Sequence, residues 1–234
     1  MQTAIPCLLM RGGTSKGPFF RADDLPQDLP TRDKVLLAAL GSPDKRQIDG
    51  IGGAHPLTSK VGMVSVSQRE GVDLEFLFAQ LQPEKDTVDT TPNCGNMLAA
   101  VVPFALETGM VKARGETSTF RVLTLNTDMA ADITVQTPGG QVSYEGTARI
   151  DGAPGQSAPV DISFLDTAGS VCSSEGSGSL ATSVADPSRA LDARRDGREA
   201  RGGPAPRLQA VLRSPARRDA PRRRSSRIDA GTRR

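Results

Sequence analysis

The sequence predicts an α+β fold in which many strands form a sheet that wraps around one long apolar helix. Two observations favour this class. From the N-terminus as far as residue 165, short runs rich in β-forming residues alternate with turns. A single longer apolar stretch, 97–106, follows small polar residues and stops at Gly109, as a buried helix does. Many strands and one apolar helix are best buried by packing the sheet against the helix.

The individual elements follow from periodicity and turn residues. A short helix is expected over 33–40, closed by Gly41, after a proline-containing loop at 25–32. Pro103 should kink or break the apolar helix. Cys7 alternates inside the first predicted strand and is expected to be a small core residue. Strands are predicted at 4–10, 17–21, 61–66, 72–78, 119–126, 131–136, 142–144 and 160–165.

Charge and aromatic content divide the chain into two parts. Residues 1–172 contain 14 Lys and Arg against 20 Asp and Glu, whereas residues 173–234 contain 15 Arg, no Lys and 7 Asp and Glu. All aromatic residues lie at or before Phe164, so the second part has none with which to build a core. We therefore expect a folded domain over 1–172 and a disordered, Arg-rich tail over 173–234.

Cysteine usage and hydropathy limit the class of protein. The three cysteines are widely spaced and match neither a disulfide framework nor a metal pattern, so no metal site is predicted. The sequence lacks a basic leader and an apolar run near the roughly 20 residues that span a bilayer. A cytoplasmic protein without membrane contact is expected. The arginine runs of the tail lack aromatic neighbours, which argues against nucleic-acid binding.

Cys94 is the first candidate for chemistry. It lies in the run Pro92-Asn93-Cys94-Gly95-Asn96, directly before the predicted helix. A helix N-terminus favours the thiolate form of a cysteine and attracts anions. The same residues could hold a reactive thiolate and a substrate carboxylate, but a buried structural cysteine fits this local sequence equally well.

Two further segments have a functional and a plain interpretation. The glycine-containing turn from Arg11 to Lys16 could present N–H groups to an anion, or it could be an ordinary tight turn. Lys60 ends a glycine-rich loop and opens a strand, where partial desolvation would favour the neutral amine that accepts protons. The alternative for Lys60 is a strand-edge side chain that reaches water.

Taken in order, several short segments resemble the PrpF-like proteins, a family that includes 4-oxalomesaconate tautomerase and 2-methylaconitate cis-trans isomerase. Each segment alone is only moderately specific for the family. The whole set in this order is strong evidence for the resemblance, which covers about residues 1–172. The segments are Ile5-Pro6-Cys7-Leu8-Leu9-Met10-Arg11-Gly12-Gly13-Thr14-Ser15-Lys16-Gly17, Gln47-Ile48-Asp49-Gly50-Ile51-Gly52-Gly53, Leu57-Thr58-Ser59-Lys60-Val61, Asn93-Cys94-Gly95-Asn96, Thr134-Val135-Gln136-Thr137-Pro138-Gly139-Gly140 and Asp166-Thr167-Ala168-Gly169-Ser170-Val171-Cys172.

The resemblance implies a fold similar to diaminopimelate epimerase, with two pseudo-symmetric domains and an active site between them. Each domain would be a curled, mixed β-sheet around a central helix. It implies proton transfer on a small unsaturated tricarboxylate without any cofactor. Keto–enol tautomerisation of 4-oxalomesaconate, a step of gallate- and protocatechuate-type aromatic catabolism, is the first expectation. Isomerisation of 2-methylaconitate is the second. A homo-oligomer is compatible with the resemblance.

The resemblance also implies roles for individual residues. Lys60 and Cys94 match the family's proton-transfer lysine and active-site cysteine. Substrate binding is implied for two groups on opposite walls, namely Asn93, Gly95 and Asn96 on one, and Arg11, Thr14 and Ser15 on the other.

The similarity to the family stops at Cys172, where a second domain would be expected. Lysine, aromatic residues and hydrophobic periodicity are lost together at this point, so we expect that 173–234 is a frameshift product or comes from a faulty gene model. As written, half of the active-site cleft would be missing. The alternative from another class is a non-catalytic binding protein whose basic tail contacts nucleic acid, with an affinity that falls steeply with salt.

Overall fold

The computed structural model describes residues 3–165 and 207–211, and the fold is α+β, as predicted. A nine-stranded mixed sheet curls around two short helices in its centre. Three α-helices are present in the described residues: α1 (Leu29–Leu40), α2 (Gly95–Leu98) and α3 (Val101–Glu107). The strands are β1 (Leu8–Gly12), β2 (Ser15–Arg21), β3 (Lys60–Val66), β4 (Leu74–Leu81), β5 (Val88–Asp89), β6 (Thr117–Thr124), β7 (Met129–Gln136), β8 (Pro159–Phe164) and β9 (Arg207–Val211).

The sheet has the order β1-β2-β3-β4-β6-β7-β8-β9, and β5 adds to the end of β4. Two neighbouring pairs, β2 with β3 and β4 with β6, are parallel, and all the others are antiparallel. The parallel pairs require long connections, and the second of them contains α2 and α3. This connection places the helices against one face of the sheet.

The central helix is broken in two, as Pro103 predicts. A helical Pro103 would need to donate an N–H to Ala99, and proline has none. The break falls at Ala99 and Ala100, where Ala100 N–H donates to Met97 at 3.0 Å in a tighter turn. Phe104 N–H then donates to the Ala100 carbonyl at 2.9 Å, and the regular pattern resumes. The break leaves α2 as a single turn that starts next to Cys94.

Alternation along the strands separates two cores. Phe19, Val64 and Phe76 point to the face that covers α2 and α3, and these residues share one cluster with Phe104. The intervening residues of the same strands point to the opposite face, where α1 packs with Leu36 and Leu40 inward. That smaller cluster consists of Phe20, Leu25, Leu36, Leu40, Val61, Met63, Ala79 and Leu81. A strand buried on both faces, such as β3, therefore has an almost continuous apolar sequence.

Helix α1 begins four residues earlier than predicted. Asp28 is its N-cap and accepts a hydrogen bond from Thr31 N–H at 3.0 Å. Pro30 lies in the first turn, where a missing N–H costs nothing. The end at Gly41 was predicted correctly, because its φ of 80° suits glycine.

Two other predictions are wrong. Residues 142–144 do not form a strand, although Ser143 and Tyr144 each take part in a backbone hydrogen bond. Cys7 is exposed and precedes β1, which begins only at Leu8. The apolar residues at 4–10 led to a predicted strand that begins before the observed start of β1.

The predicted tail, 173–234, lies outside the described residues apart from Arg207–Val211. Those five residues pair with β8 as an antiparallel strand, which differs from the disordered tail expected for this part of the chain. In the part of the chain that the structure describes, no helix is long and apolar enough to cross a membrane.

Candidate functional site

Cys94 lies between the β1–β2 hairpin and the first turn of α2. It is the N-cap residue of α2, in extended conformation, and its carbonyl accepts from Leu98 N–H at 2.9 Å. Its side chain is half-buried, and its Sγ lies 3.9 Å from Ser15 Oγ, which is hydrogen-bonding distance for sulfur. The thiol is therefore neither sealed in the core nor freely exposed, as a reacting cysteine requires.

The Asn93 side chain is bonded to the protein itself. Its Oδ1 accepts from Cys94 N–H at 2.8 Å, and its Nδ2 lies 3.4 Å from both Thr124 Oγ1 and Thr127 Oγ1. Thr124 is buried at the end of β6, so these contacts join the Cys94 segment to the sheet. Asn93 thus holds the Cys94 segment in place, and the substrate contact that the resemblance implies for it stays a prediction.

The hairpin turn packs directly on α2. Asn96 Nδ2 donates to Thr14 Oγ1 at 3.1 Å, and a Cβ added to Gly12 would lie 1.8 Å from the Asn96 carbonyl oxygen. Glycine at position 12 thus permits the backbone of the hairpin to approach the backbone of α2 closely.

Arg11 occupies a different position from its predicted partners. Strand alternation places Met10 and Gly12 on the face of the central helix and Arg11 on the other face. Its guanidinium donates to the Gly13 carbonyl and so closes the hairpin turn. Thr14 and Ser15 contact the Cys94 segment through their side chains, and the binding role that the resemblance implies for Arg11 stays a prediction.

Lys60 is buried, with 8% of its surface exposed, so most of its side chain lies inside the protein. Its Nζ donates to Gln80 Oε1 at 2.6 Å and lies 4.9 Å from the centre of the Phe78 ring. Its backbone packs on the same hairpin as Cys94, because a Cβ added to Gly17 would lie 1.8 Å from the Lys60 carbonyl oxygen.

The hairpin therefore contacts both candidate catalytic segments. Ser15 meets Cys94 and Gly17 meets Lys60, and only Lys16 separates the two in sequence. Both Ser15 and Gly17 point to the side of the sheet that faces the central helix. The Lys60 and Cys94 segments, which are 34 residues apart in sequence, thus contact the same hairpin.

The residues that support these segments could not be assigned their roles from the sequence. Gln80 was missed because its contact with Lys60 depends on the register of β3 and β4, which places the two residues opposite each other. Gln47 was noted only as the first residue of one of the segments that resemble the family. Its buried Oε1 accepts from Ala54 N–H at 2.8 Å and from Ser59 Oγ at 3.0 Å, and so fixes the backbone that leads into Lys60.

Replacing Gly12 with alanine is expected to move α2 and change the environment of Cys94. The added Cβ meets a backbone oxygen that cannot rotate away, so we expect a loss of about 3 kcal/mol in the free energy of unfolding. The rate of Cys94 alkylation under native conditions, followed by mass spectrometry, should change as well. Gly71→Ala is the control, because it strains a positive φ where nothing lies within 4 Å. An unchanged Cys94 rate in Gly12→Ala would contradict the packing described here.

Known proteins with similar sequences are isomerases. The chain is 55% identical over 171 residues to 4-oxalomesaconate tautomerase of Pseudomonas putida, which covers 73% of this chain and 47% of that protein. It is 54% identical over 167 residues to (4E)-oxalomesaconate Delta-isomerase of a Novosphingobium species, which covers 71% of this chain and 47% of that protein. The chain thus spans about half the length of these relatives.

A solved structure agrees with the sequence relatives. The crystal structure of a methylitaconate-delta-isomerase superposes with a TM-score of 0.68 at 44% sequence identity, over 70% of this chain and 43% of that one. The model of the PrpF protein family matches residues 2–181, which is most of the chain and includes every candidate site residue. The chain belongs to the PrpF family.

Proposed function

We propose that this chain contributes to a cofactor-independent isomerase that moves a proton within a small unsaturated tricarboxylate, with 4-oxalomesaconate as the substrate. The observation that carries the proposal is the contact of one hairpin with both Cys94 and Lys60. The relatives named as oxalomesaconate isomerases support the choice of substrate. The substrate and the activity are proposals, because the chain spans about half of each relative.

In a keto–enol tautomerisation a base removes a proton from one terminus of the conjugated system and an acid delivers a proton to the other. No atoms are gained or lost, and the electron pair of the broken bond forms the shifted double bond. In the proposed site Lys60 and Cys94 are these two groups. A primary amine and a thiol each exist in two protonation states, so each can serve in either direction.

Negative charge develops on the substrate oxygen during the reaction and must be stabilised by donors. Ser15 Oγ lies beside the Cys94 sulfur, and the neighbouring residues Thr14 and Asn96 are joined by a hydrogen bond. We assign Thr14, Ser15, Gly95 and Asn96 to binding the substrate carboxylates. Asn93 acts through Cys94, and Arg11 acts by closing the turn.

The direct test is the ultraviolet spectrum of 4-oxalomesaconate with the purified chain, since the keto and enol forms absorb differently. Circular dichroism first establishes that the chain is folded. Conversion that is lost on replacing Lys60 or Cys94 supports the proposal. A folded chain that leaves the keto–enol equilibration at its uncatalysed rate contradicts it.

A second measurement separates the two substrates that the family resemblance implies. The same chain is incubated with 2-methylaconitate, and the cis and trans isomers are separated by chromatography. Isomerisation of 2-methylaconitate without conversion of 4-oxalomesaconate would assign the alternative substrate and overturn the first choice.

A further inference from the structure

Gln80 is the residue that the amine of Lys60 contacts most closely. Lys60 and Gln80 are direct partners across the β3–β4 pair, and Lys60 Nζ donates to Gln80 Oε1 at 2.6 Å. The second contact of this amine is the face of Phe78, 4.9 Å from the ring centre. Both side chains are uncharged, and no ion pair within residues 3–165 includes Lys60.

The orientation of the Gln80 amide is fixed by the backbone around it. Its Nε2 lies 3.0 Å from the Pro56 carbonyl oxygen, 3.2 Å from that of Ser59 and 2.8 Å from that of Leu81. Carbonyl oxygens only accept hydrogen bonds, so the amide nitrogen must face these three groups. Its oxygen is therefore directed at Lys60 whether or not the amine is protonated.

The type of acceptor matters for a group that gains and loses a proton. A carboxylate would bind the ammonium form and disfavour the neutral amine. An amide oxygen has no full charge, and it accepts an N–H from an ammonium group or from a neutral amine. Gln80 can hold Lys60 in one place in both protonation states of the amine. The other hydrogen-bonding positions of Lys60 Nζ remain available to the substrate.

We propose that Gln80 is a positioning residue that holds the Lys60 amine in both of its charge states. This proposal rests on the proposed function, in which Lys60 transfers a proton. The backbone carbonyls hold Gln80 Nε2, and Gln80 Oε1 in turn accepts a hydrogen bond from Lys60 Nζ. In the proposed reaction Lys60 Nζ then contacts the substrate. Gln80 itself does not contact the substrate.

The kinetic test compares Gln80→Leu with Gln136→Leu, which changes a half-buried glutamine on β7 of the same sheet. Loss of the acceptor lets the amine move, and a displacement of about 1 Å costs roughly a hundredfold in rate. We expect kcat to fall by ten- to roughly a hundredfold in Gln80→Leu. Its KM should stay within about twofold of that of the parent chain, because no substrate contact is removed. Gln136→Leu should leave kcat and KM unchanged. An unchanged kcat in a folded Gln80→Leu variant would overturn the proposal.

A spectroscopic test works even if the chain has no isomerase activity. In protein labelled with ¹⁵N-lysine, a buried and hydrogen-bonded ammonium group exchanges slowly and gives its own Nζ signal, assigned here by its loss in Lys60→Met. We expect this signal in the parent chain and in Gln136→Leu, and its loss in Gln80→Leu. A Lys60 signal that is unchanged in Gln80→Leu would overturn the proposal. A lost signal in a chain without turnover would contradict the proposed function and leave the positioning role supported.

Gln80→Glu covers the case in which Gln80→Leu does not fold. The carboxylate keeps the length of the side chain and an acceptor for Lys60, but it adds a charge. We expect the Lys60 ammonium signal to be retained in Gln80→Glu and kcat to fall, because a carboxylate binds the ammonium form and disfavours the neutral amine. A Gln80→Glu variant with the parent's kcat would also overturn the proposal.

Discussion

Replacing Phe104 with alanine is expected to remove about 3–5 kcal/mol from the free energy of unfolding. Phe104 is 1% exposed, and its ring centre lies 5.8 Å from that of Phe19, which stacks on Phe76 at 6.3 Å. The Phe104 side chain therefore extends from α3 and fills the middle of the curled sheet. Domains of this size are stable by roughly 5–15 kcal/mol, so the variant should lose a large fraction of its stability. Urea denaturation followed by circular dichroism measures the change.

Two variants calibrate this expectation. Phe104→Leu keeps most of the volume and should cost no more than about 1.5 kcal/mol. Leu29→Ala removes an apolar side chain that is 59% exposed at the start of α1, and it should change stability by less than about 0.5 kcal/mol. A loss of under about 1 kcal/mol in Phe104→Ala would mean that α3 does not pack inside the sheet.

Much of this core could be predicted from the sequence because hydrophobic periodicity determines which side of a strand is buried. The alternation along residues 72–78 predicted β4, and the apolar stretch before Gly109 predicted the central helix. Pro103 predicted its break, since a missing N–H acts at a known distance along a helix. These features depend on residues close together in the sequence.

The errors come from features that periodicity does not contain. The start of α1 depends on one hydrogen bond from Thr31 to Asp28, and the prolines of that segment were taken as loop residues although Pro30 suits a first helical turn. Residues 142–144 have a β-like sequence but only isolated hydrogen bonds. Whether such a run becomes a strand depends on the neighbour that is available to pair with it.

The candidate site was predicted only in part, for a related reason. The order of short segments identified Lys60 and Cys94, and the structure places both segments against one hairpin. The residues that orient them, Gln80 and Thr124, are distant in sequence and belong to no recognisable segment. Their contacts follow from strand register and from the turn after β6, and neither is visible before the fold is known.

The largest effect on activity is expected from Lys60→Met and Cys94→Ser. Methionine keeps the apolar stem of lysine and removes the amine, and serine replaces an acidic thiol with a far less acidic hydroxyl. Loss of a general acid or base typically costs about 10²–10⁴-fold in rate. We expect kcat for 4-oxalomesaconate to fall by that amount in each variant. The controls are Lys112→Met and Cys7→Ser, which change an exposed lysine and an exposed cysteine and should leave kcat unchanged.

The double variant decides whether Lys60 and Cys94 act in one reaction step. If one group removes the proton and the other returns it, either loss alone stops the transfer, and residues that act as a unit have strongly non-additive effects. The double variant should then be no slower than the slower single variant. Losses that multiply would mean that the two residues assist separate steps. Parent-like rates in both single variants would remove them from the mechanism, and the close approach of the hairpin to both segments would then serve only the fold.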